Sequence, residues 1–230
     1  MTGDPKLLER PVWSALTTAH AGFARGNDLA RRYAPDVAPM CSVREVSDEC
    51  LQALAALMAP GDIVGLFSAE PVAPGGGLAV LAQKFVEQMV YQRSEVSTTA
   101  AGGAVVKLTS DDVPEMMRLV ELTQPGPFAP RTIALGSYIG IRSAGALIAM
   151  AGERMKFDGY TEISAVCTHP DHRGRGLASL LARTLMRQIL ERGETPFLHV
   201  YSDNASAAAL YEKLGFAHRR SIGVTVLKRE

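Results

Sequence analysis

Two glycines flanked by arginines form the strongest chemical signal in this chain. Arg173-Gly174-Arg175-Gly176 follows a β-prone run, 162–168, and opens a segment with helical apolar spacing. A strand-to-helix turn of small residues lets backbone N–H groups approach an anion closely. The unsatisfied N–H groups and dipole of the helix N-terminus then face the same point. The two guanidinium groups add positive charge, so the chemistry implied is capture of a phosphate or pyrophosphate. A lone G-x-G serves equally well as a tight turn with solvated arginines. Here the arginines, the preceding strand and the following helix all agree on the anion site.

Two families use such a turn. Gly174-x-Gly176-x-x-Ser179 is a near miss to the dinucleotide fingerprint, with Asp203 as a nominal ribose-binding acid. Five residues, 169–173, intervene between strand and turn, however, and too little chain follows to build the usual parallel sheet. The second match is closer. Arg173-Gly-Arg-Gly176-Leu-Ala178 fits the pattern Q/R-x-x-G-x-G/A, and Asn204-Ala-Ser-Ala-Ala-Ala-Leu-Tyr211-Glu-Lys-Leu-Gly-Phe216 follows at the expected distance. On these two elements the stretch 162–217 resembles the GNAT superfamily of N-acetyltransferases, in particular its branch similar to glycine N-acyltransferases.

The resemblance implies an α/β fold with a mixed sheet whose two parallel strands, 163–168 and 197–201, splay apart to admit the pantetheine arm of coenzyme A. It implies backbone contacts to pantetheine from Val166, Cys167 and Thr168. The pyrophosphate would rest on N–H groups of Arg173, Gly174, Arg175, Gly176, Leu177, Ala178 and Ser179. Asn204, Ala207 and Tyr211 would point from one helix face toward the cosubstrate, acetyl-CoA or another acyl-CoA, with no metal. Tyr211 takes the place of the proton donor to the departing thiolate. Glu162, at the start of the central strand, is the candidate general base, directly or through water, with Glu153 as its rival. Strand alternation puts Glu162, Ser164, Val166 and Thr168 on one face, and partial burial there is expected to raise the Glu162 pKa.

Other chemistries are weaker. His169, Asp171 and His172 supply three metal ligands without a fourth. A Cys167–His169 nucleophile pair has neither an oxyanion motif nor an orienting acid. His199 reads as a strand residue near the wedge, packed or touching substrate.

The positioning elements follow from periodicity. A helix over 48–58 capped by Ser47, and strands over 63–67 and 84–91, fill the first half. The second half reads as a strand over 105–108, a helix from a capping box at 112–115 to 122 or 123, and a hairpin of 137–142 with 146–155. After the glycine turn come a helix to Gly193, a strand over 197–201, a helix over 204–214 capped by Asp203, and a strand near 222–227. The loop 124–132 holds three prolines in its first seven residues and cannot be helical, so Phe128 and Arg131 are taken as the residues that meet the acceptor.

Small and polar residues at 94–104 mark the expected boundary between two units, 1–100 and 101–230. The first reads as a smaller α/β half, a cofactor-free, degenerate copy without the glycine turn, covering the substrate groove or forming a homodimer interface. Hydrophobic residues make up 47% and charged residues 21%, values of a folded globular chain rather than a disordered one. Twenty-four basic residues balance twenty-four acidic ones, which gives no field to gather nucleic acid or an anionic membrane. Cys41, Cys50 and Cys167 are too widely spaced for a disulfide framework and fit a reducing compartment. With no apolar leader and no greasy stretch longer than 144–151, the chain reads as cytoplasmic. The expected activity is transfer of an acyl group, acetyl first, to a small-molecule or peptide amine. An acyl-CoA sensor without turnover and a dinucleotide-dependent oxidoreductase stand as alternatives.

Overall fold

The computed structural model of the chain describes residues 3–69, 72–73, 75–96 and 104–230. Its elements run α1 (Pro11–Thr17), β1 (Ala24–Gly26), β2 (Ala30–Tyr33), β3 (Met40–Val43), α2 (Asp48–Ala56), β4 (Ile63–Ser68) and β5 (Leu78–Tyr91). They continue with β6 (Val105–Lys107), α3 (Val113–Thr123), β7 (Tyr138–Ser143), β8 (Ala146–Phe157), β9 (Tyr160–Thr168), α4 (Leu177–Glu191), β10 (Thr195–Tyr201), α5 (Ala205–Leu214) and β11 (Phe216–Arg229). Residues 97–103, which carry most of the expected boundary, lie outside the described residues.

All the described strands join one sheet in the order β1-β2-β3-β4-β11-β5-β10-β9-β8-β7-β6. Strand β5 lies between β10 and β11, antiparallel to both, so the two halves of the chain share the sheet at its centre. Parallel pairing occurs in β9 with β10 and in β3 with β4. The rest is antiparallel, unlike the parallel sheet a dinucleotide fold requires. Strands β5 and β11 are both longer than periodicity indicates, because they pair with each other along almost their full lengths.

Each helix packs an apolar stripe on this sheet. In α4, Leu177, Leu181, Leu185 and Ile189 recur every fourth residue and are buried with Ile139, Ile163 and Leu198. On the other face α3 packs Met116 and Leu119 on Tyr138 and Met150. In the first half α1 buries Val12 and Leu16 beside Tyr33, Phe157 and Phe197, and α2 buries Leu51 and Leu54 beside Leu66 and Leu227. Two caps differ from expectation. The capping box is Thr109 with Asp112, opening a short 3-10 turn before α3. Asn204, rather than Asp203, caps α5, its Oδ1 accepting from the N–H of Ala207 at 3.1 Å. Among the described residues no helix is long and apolar enough to cross a membrane.

Candidate functional site

Strands β9 and β10 run parallel but are paired at three positions only, Tyr160 with Thr195, Thr161 with Pro196 and Glu162 with Phe197. Beyond Glu162 they part, and a cavity of about 630 Å³ occupies the gap. The peptide edges of the following residues on both strands have no ladder partner across it. Unpaired backbone beside an apolar groove is costly unless something extended and polar matches it.

A bulge sharpens the gap. Two residues of β9, Ala165 and Val166, stand opposite Ala151 of β8 alone, and Ala165 takes a φ of +51°, in the left-handed region. The bulge breaks the expected alternation. Ala165 and Cys167 turn toward α3, while Ile163 and Val166 pack toward α4. Glu162, Ser164, Val166 and Thr168 therefore do not share one face, because strict period-two counting fails at an inserted residue.

The turn after β9 closes one wall of the cavity. His172, Arg173, Gly174, Arg175, Gly176, Leu177, Ala178 and Ser179 all line it, as do Val166, Cys167 and Thr168. Gly174 and Gly176 adopt φ of +75° and +74°, which L side chains rarely accept, and Gly176 is the N-cap of α4. A Cβ on either would meet nothing within 4 Å, so the glycines answer a backbone demand and leave open space before the helix N-terminus. Arg173 Nε donates to the carbonyl of Thr168 at 3.4 Å, bracing the turn. His169 is used locally, its Nδ1 accepting from the N–H of Asp171 at 3.3 Å.

Asn204, Ala207 and Tyr211 also line the cavity, in agreement with their shared face on α5. Tyr211 is buried, with its ring edge-on to Phe216 at 5.9 Å. Burial pushes its phenol up to about 12, so the hydroxyl keeps its proton at neutral pH.

Glu162 is fully buried and does not line the cavity. Its Oε2 accepts from Arg154 Nε at 2.8 Å and from the N–H of Met155 at 3.2 Å; its Oε1 accepts from Arg154 Nη2 at 2.7 Å and from His199 Nδ1 at 2.7 Å. Burial alone would raise the carboxyl, as the sequence suggests. The charge and hydrogen bonds of Arg154, with His199 behind them, outweigh burial and hold it well below the usual carboxylate range. The expected upward shift is thus reversed, and the oxygens are fully subscribed by donors.

The same network fixes His199. An ionised carboxylate only accepts, so Nδ1 carries the proton, and Nε2 faces the amide nitrogen of Gln88 at 3.2 Å. Gln88 is fully buried; its Nε2 also donates to the carbonyl of Leu8 at 3.0 Å, and its Oε1 accepts from Arg219 at 3.0 Å, which sets the amide orientation. Arg154 and His199 then reach the cavity wall. Neither Arg154 nor Gln88 belongs to a motif, and only their strand positions opposite Glu162 and His199 would have given a signal.

Three expected residues lie elsewhere. Glu153 is engaged by Arg192 at 2.8 Å and by the N–H of Ser137 at 3.3 Å, away from the cavity. Phe128 is half-buried and packs edge-on against Tyr138 at 5.7 Å, at the margin of the α3 core. Arg131 pairs with Asp36 at 2.9 Å and ties its loop to the first half. The loop still reaches the cavity, through Gln124, Pro125, Gly126 and Pro127. The aromatic and the cation were chosen for their chemistry, but in the fold a neighbouring ring engages the first and an acid the second. Cys167 is buried, and desolvation pushes its thiol up to about 11, which suits packing rather than nucleophilic attack.

The wall across the gap comes from the first half and β11, and includes Met40, Ile63, Phe67, Lys84, Val224 and Val226. The strand pair thus opens into one cavity that runs to a glycine turn at the N-terminus of α4, with free peptide groups along its length and backbone N–H groups at its end.

Residues 138–222 match the family model of the FR47-like protein. The chain is 37% identical over 87 residues to the N-alpha-acetyltransferase RimI of Mycobacterium tuberculosis, covering 34% of this chain and 51% of that protein. It is 40% identical over 67 residues to the mycothiol acetyltransferase of Corynebacterium jeikeium, covering 29% of this chain and 18% of that one. The chain thus spans about half the length of the first curated relative and under a fifth of the second. A GCN5-related N-acetyltransferase from Kribbella flavida shares the fold at a TM-score of 0.63 and 17% identity, over 100% of this chain and 97% of the other. A crystal structure from Novosphingobium aromaticivorans, assigned to the GNAT family, superposes with a TM-score of 0.90 and 38% identity over 99% of this chain and 100% of its own. Identity sustained along the whole of both chains, beyond the glycine turn and the Asn-to-Tyr helix, makes this chain a member of the GNAT family of acetyltransferases.

Proposed function

We propose that the chain transfers an acetyl group from acetyl-CoA to an amine by direct attack with both substrates bound. The observation that carries this reading is the single cavity that joins the β9–β10 gap to the glycine turn. The peptide edges freed after Glu162 suit the pantetheine amides, and the N–H groups from Gly174 to Ser179, with Arg173 and Arg175, suit the pyrophosphate. Bound acetyl-CoA would supply an acyl carbon activated as a thioester. As the amine nitrogen bonds to that carbon and the carbon–sulfur bond breaks, Tyr211 Oη donates its proton to the departing sulfur.

In this reading Glu162 is a positioning residue. With its oxygens filled and His199 engaged at both nitrogens, the proton of the amine passes to water, and water returns a proton to Tyr211 Oη to close the cycle. The experiment is thermal stabilisation by acetyl-CoA together with thiol release in the presence of amines; binding without release would favour the acyl-CoA sensor, and stabilisation by NADH alone the oxidoreductase. The glycine N-acyltransferase branch, and with it longer acyl donors, rests on the motif resemblance only.

We further infer that the first half is a degenerate copy. Its β3–α2–β4 repeats the parallel crossover of β9–α4–β10, and the link from β3 to α2 at 44–47 contains no glycine. It contributes the far wall of the cavity.

A further inference from the structure

The charges around the cavity are unevenly placed. Among the described residues that line it there is no aspartate or glutamate. Its cations are Arg154, Arg173, Arg175 and Lys84. Arg154 is cancelled by its two-pronged contact with Glu162, and the other two arginines stand on the glycine turn. Lys84 remains, on the opposite wall, 5.3 Å above the ring of Tyr201 and without an ion pair among the described residues. Strand pairing sets Lys84 beside Val224, and Val224 beside Phe67. Its neighbours on this wall are therefore apolar, with Ile63 half exposed and Met40 and Val226 completing the surface.

We infer that the acceptor is an apolar primary amine carrying one carboxylate, with its hydrocarbon on the Ile63–Phe67–Val224 wall and its carboxylate on Lys84. This rests on the acetyltransferase reading and narrows its substrate. A polyamine is the wrong class, because its second ammonium ion would enter a cavity that offers no carboxylate. A neutral apolar amine fits the wall but leaves Lys84 unused. An amino acid with a large aliphatic or aromatic side chain satisfies both.

The test uses the full chain with acetyl-CoA and measures thiol release with L-leucine, L-phenylalanine, L-leucinamide and spermidine, in wild type and in Lys84→Met. Lys84 is exposed, and an unchanged melting curve checks that the variant is folded. Wild type should turn over leucine and phenylalanine and leave spermidine untouched. Lys84→Met should raise the KM for leucine about tenfold, a loss of ~1.4 kcal/mol, with the KM values for leucinamide and acetyl-CoA unchanged. Comparing enzymes amine by amine cancels the different basicities of the amines. Preference for spermidine, equal effects on leucine and leucinamide, or no turnover of either amino acid overturns the inference. A rise in the KM for acetyl-CoA instead assigns Lys84 to the donor and overturns it too. Failure of acetyl-CoA to stabilise the protein at all is a separate result, which removes the acetyltransferase reading itself.

Discussion

Arg154 holds Glu162 along one edge of its guanidinium, Nε to Oε2 at 2.8 Å and Nη2 to Oε1 at 2.7 Å, at a buried point where β8 and β9 meet. The pair lies just where β10 begins to leave β9. Glu162 also accepts from His199 Nδ1 at 2.7 Å, and the positioning role proposed for it differs measurably from proton abstraction.

A general base gives a pH-dependent loss when removed, because raising the pH supplies free amine without it. Glu162 stays ionised throughout the neutral range. Glu162→Gln should therefore lower kcat by a constant factor from pH 6 to 9, and destabilise the fold by about 3 kcal/mol through the unpaired Arg154. A defect that fades at high pH would restore Glu162 as the base.

Tyr211→Phe removes one oxygen and keeps the ring against Phe216. Acetyl-CoA affinity by calorimetry should be retained, while turnover falls by roughly 10²-fold. Wild-type turnover would reduce Tyr211 to packing.

Gly176 separates backbone strain from charge. Gly176→Ala meets no neighbouring atom but must hold a φ of +74°, costing ~1 kcal/mol. Gly176→Glu adds a carboxylate where an anion should sit. The thermal shift from acetyl-CoA, about 2.7 kcal/mol at one hundred times Kd, should survive in the alanine variant and vanish in the glutamate one. Equal losses would mean that the turn serves shape alone.

His20 gives a stability signature independent of the site. It is buried, with Nδ1 2.9 Å from Tyr33 Oη, and desolvation lowers its pKa from 6.5 to about 4. Between these values the unfolded chain binds more protons than the folded one, so stability falls as pH drops from 6.5 toward 4. The loss should reach ~3 kcal/mol in urea titrations, and His20→Gln should flatten that limb.

Much of the wall built by the glycine turn and α5 was legible in the sequence, because glycine conformation and helix-face spacing are local properties. The turn from Arg173 to Ser179 and the Asn204–Ala207–Tyr211 face line the cavity as their order implies. The opposite wall was not legible, since it joins Met40, Phe67, Lys84 and Val224, which only the sheet order brings together. Phe128 and Arg131, chosen for their chemistry, have partners, Tyr138 and Asp36, that lie elsewhere in the chain and that local sequence does not show. At Glu162 burial was foreseen, but Arg154, eight residues earlier, reverses its consequence.

Strand β5 lies between β10 and β11, both formed by residues more than a hundred positions later in the chain. During synthesis both of its edges stay unsatisfied until those strands have left the ribosome. Contacts of such sequence separation slow folding and prolong exposure of apolar strand edges. The cavity wall that β5 and β11 share should therefore be among the last parts to assemble, and depend on chaperones when the protein is made quickly.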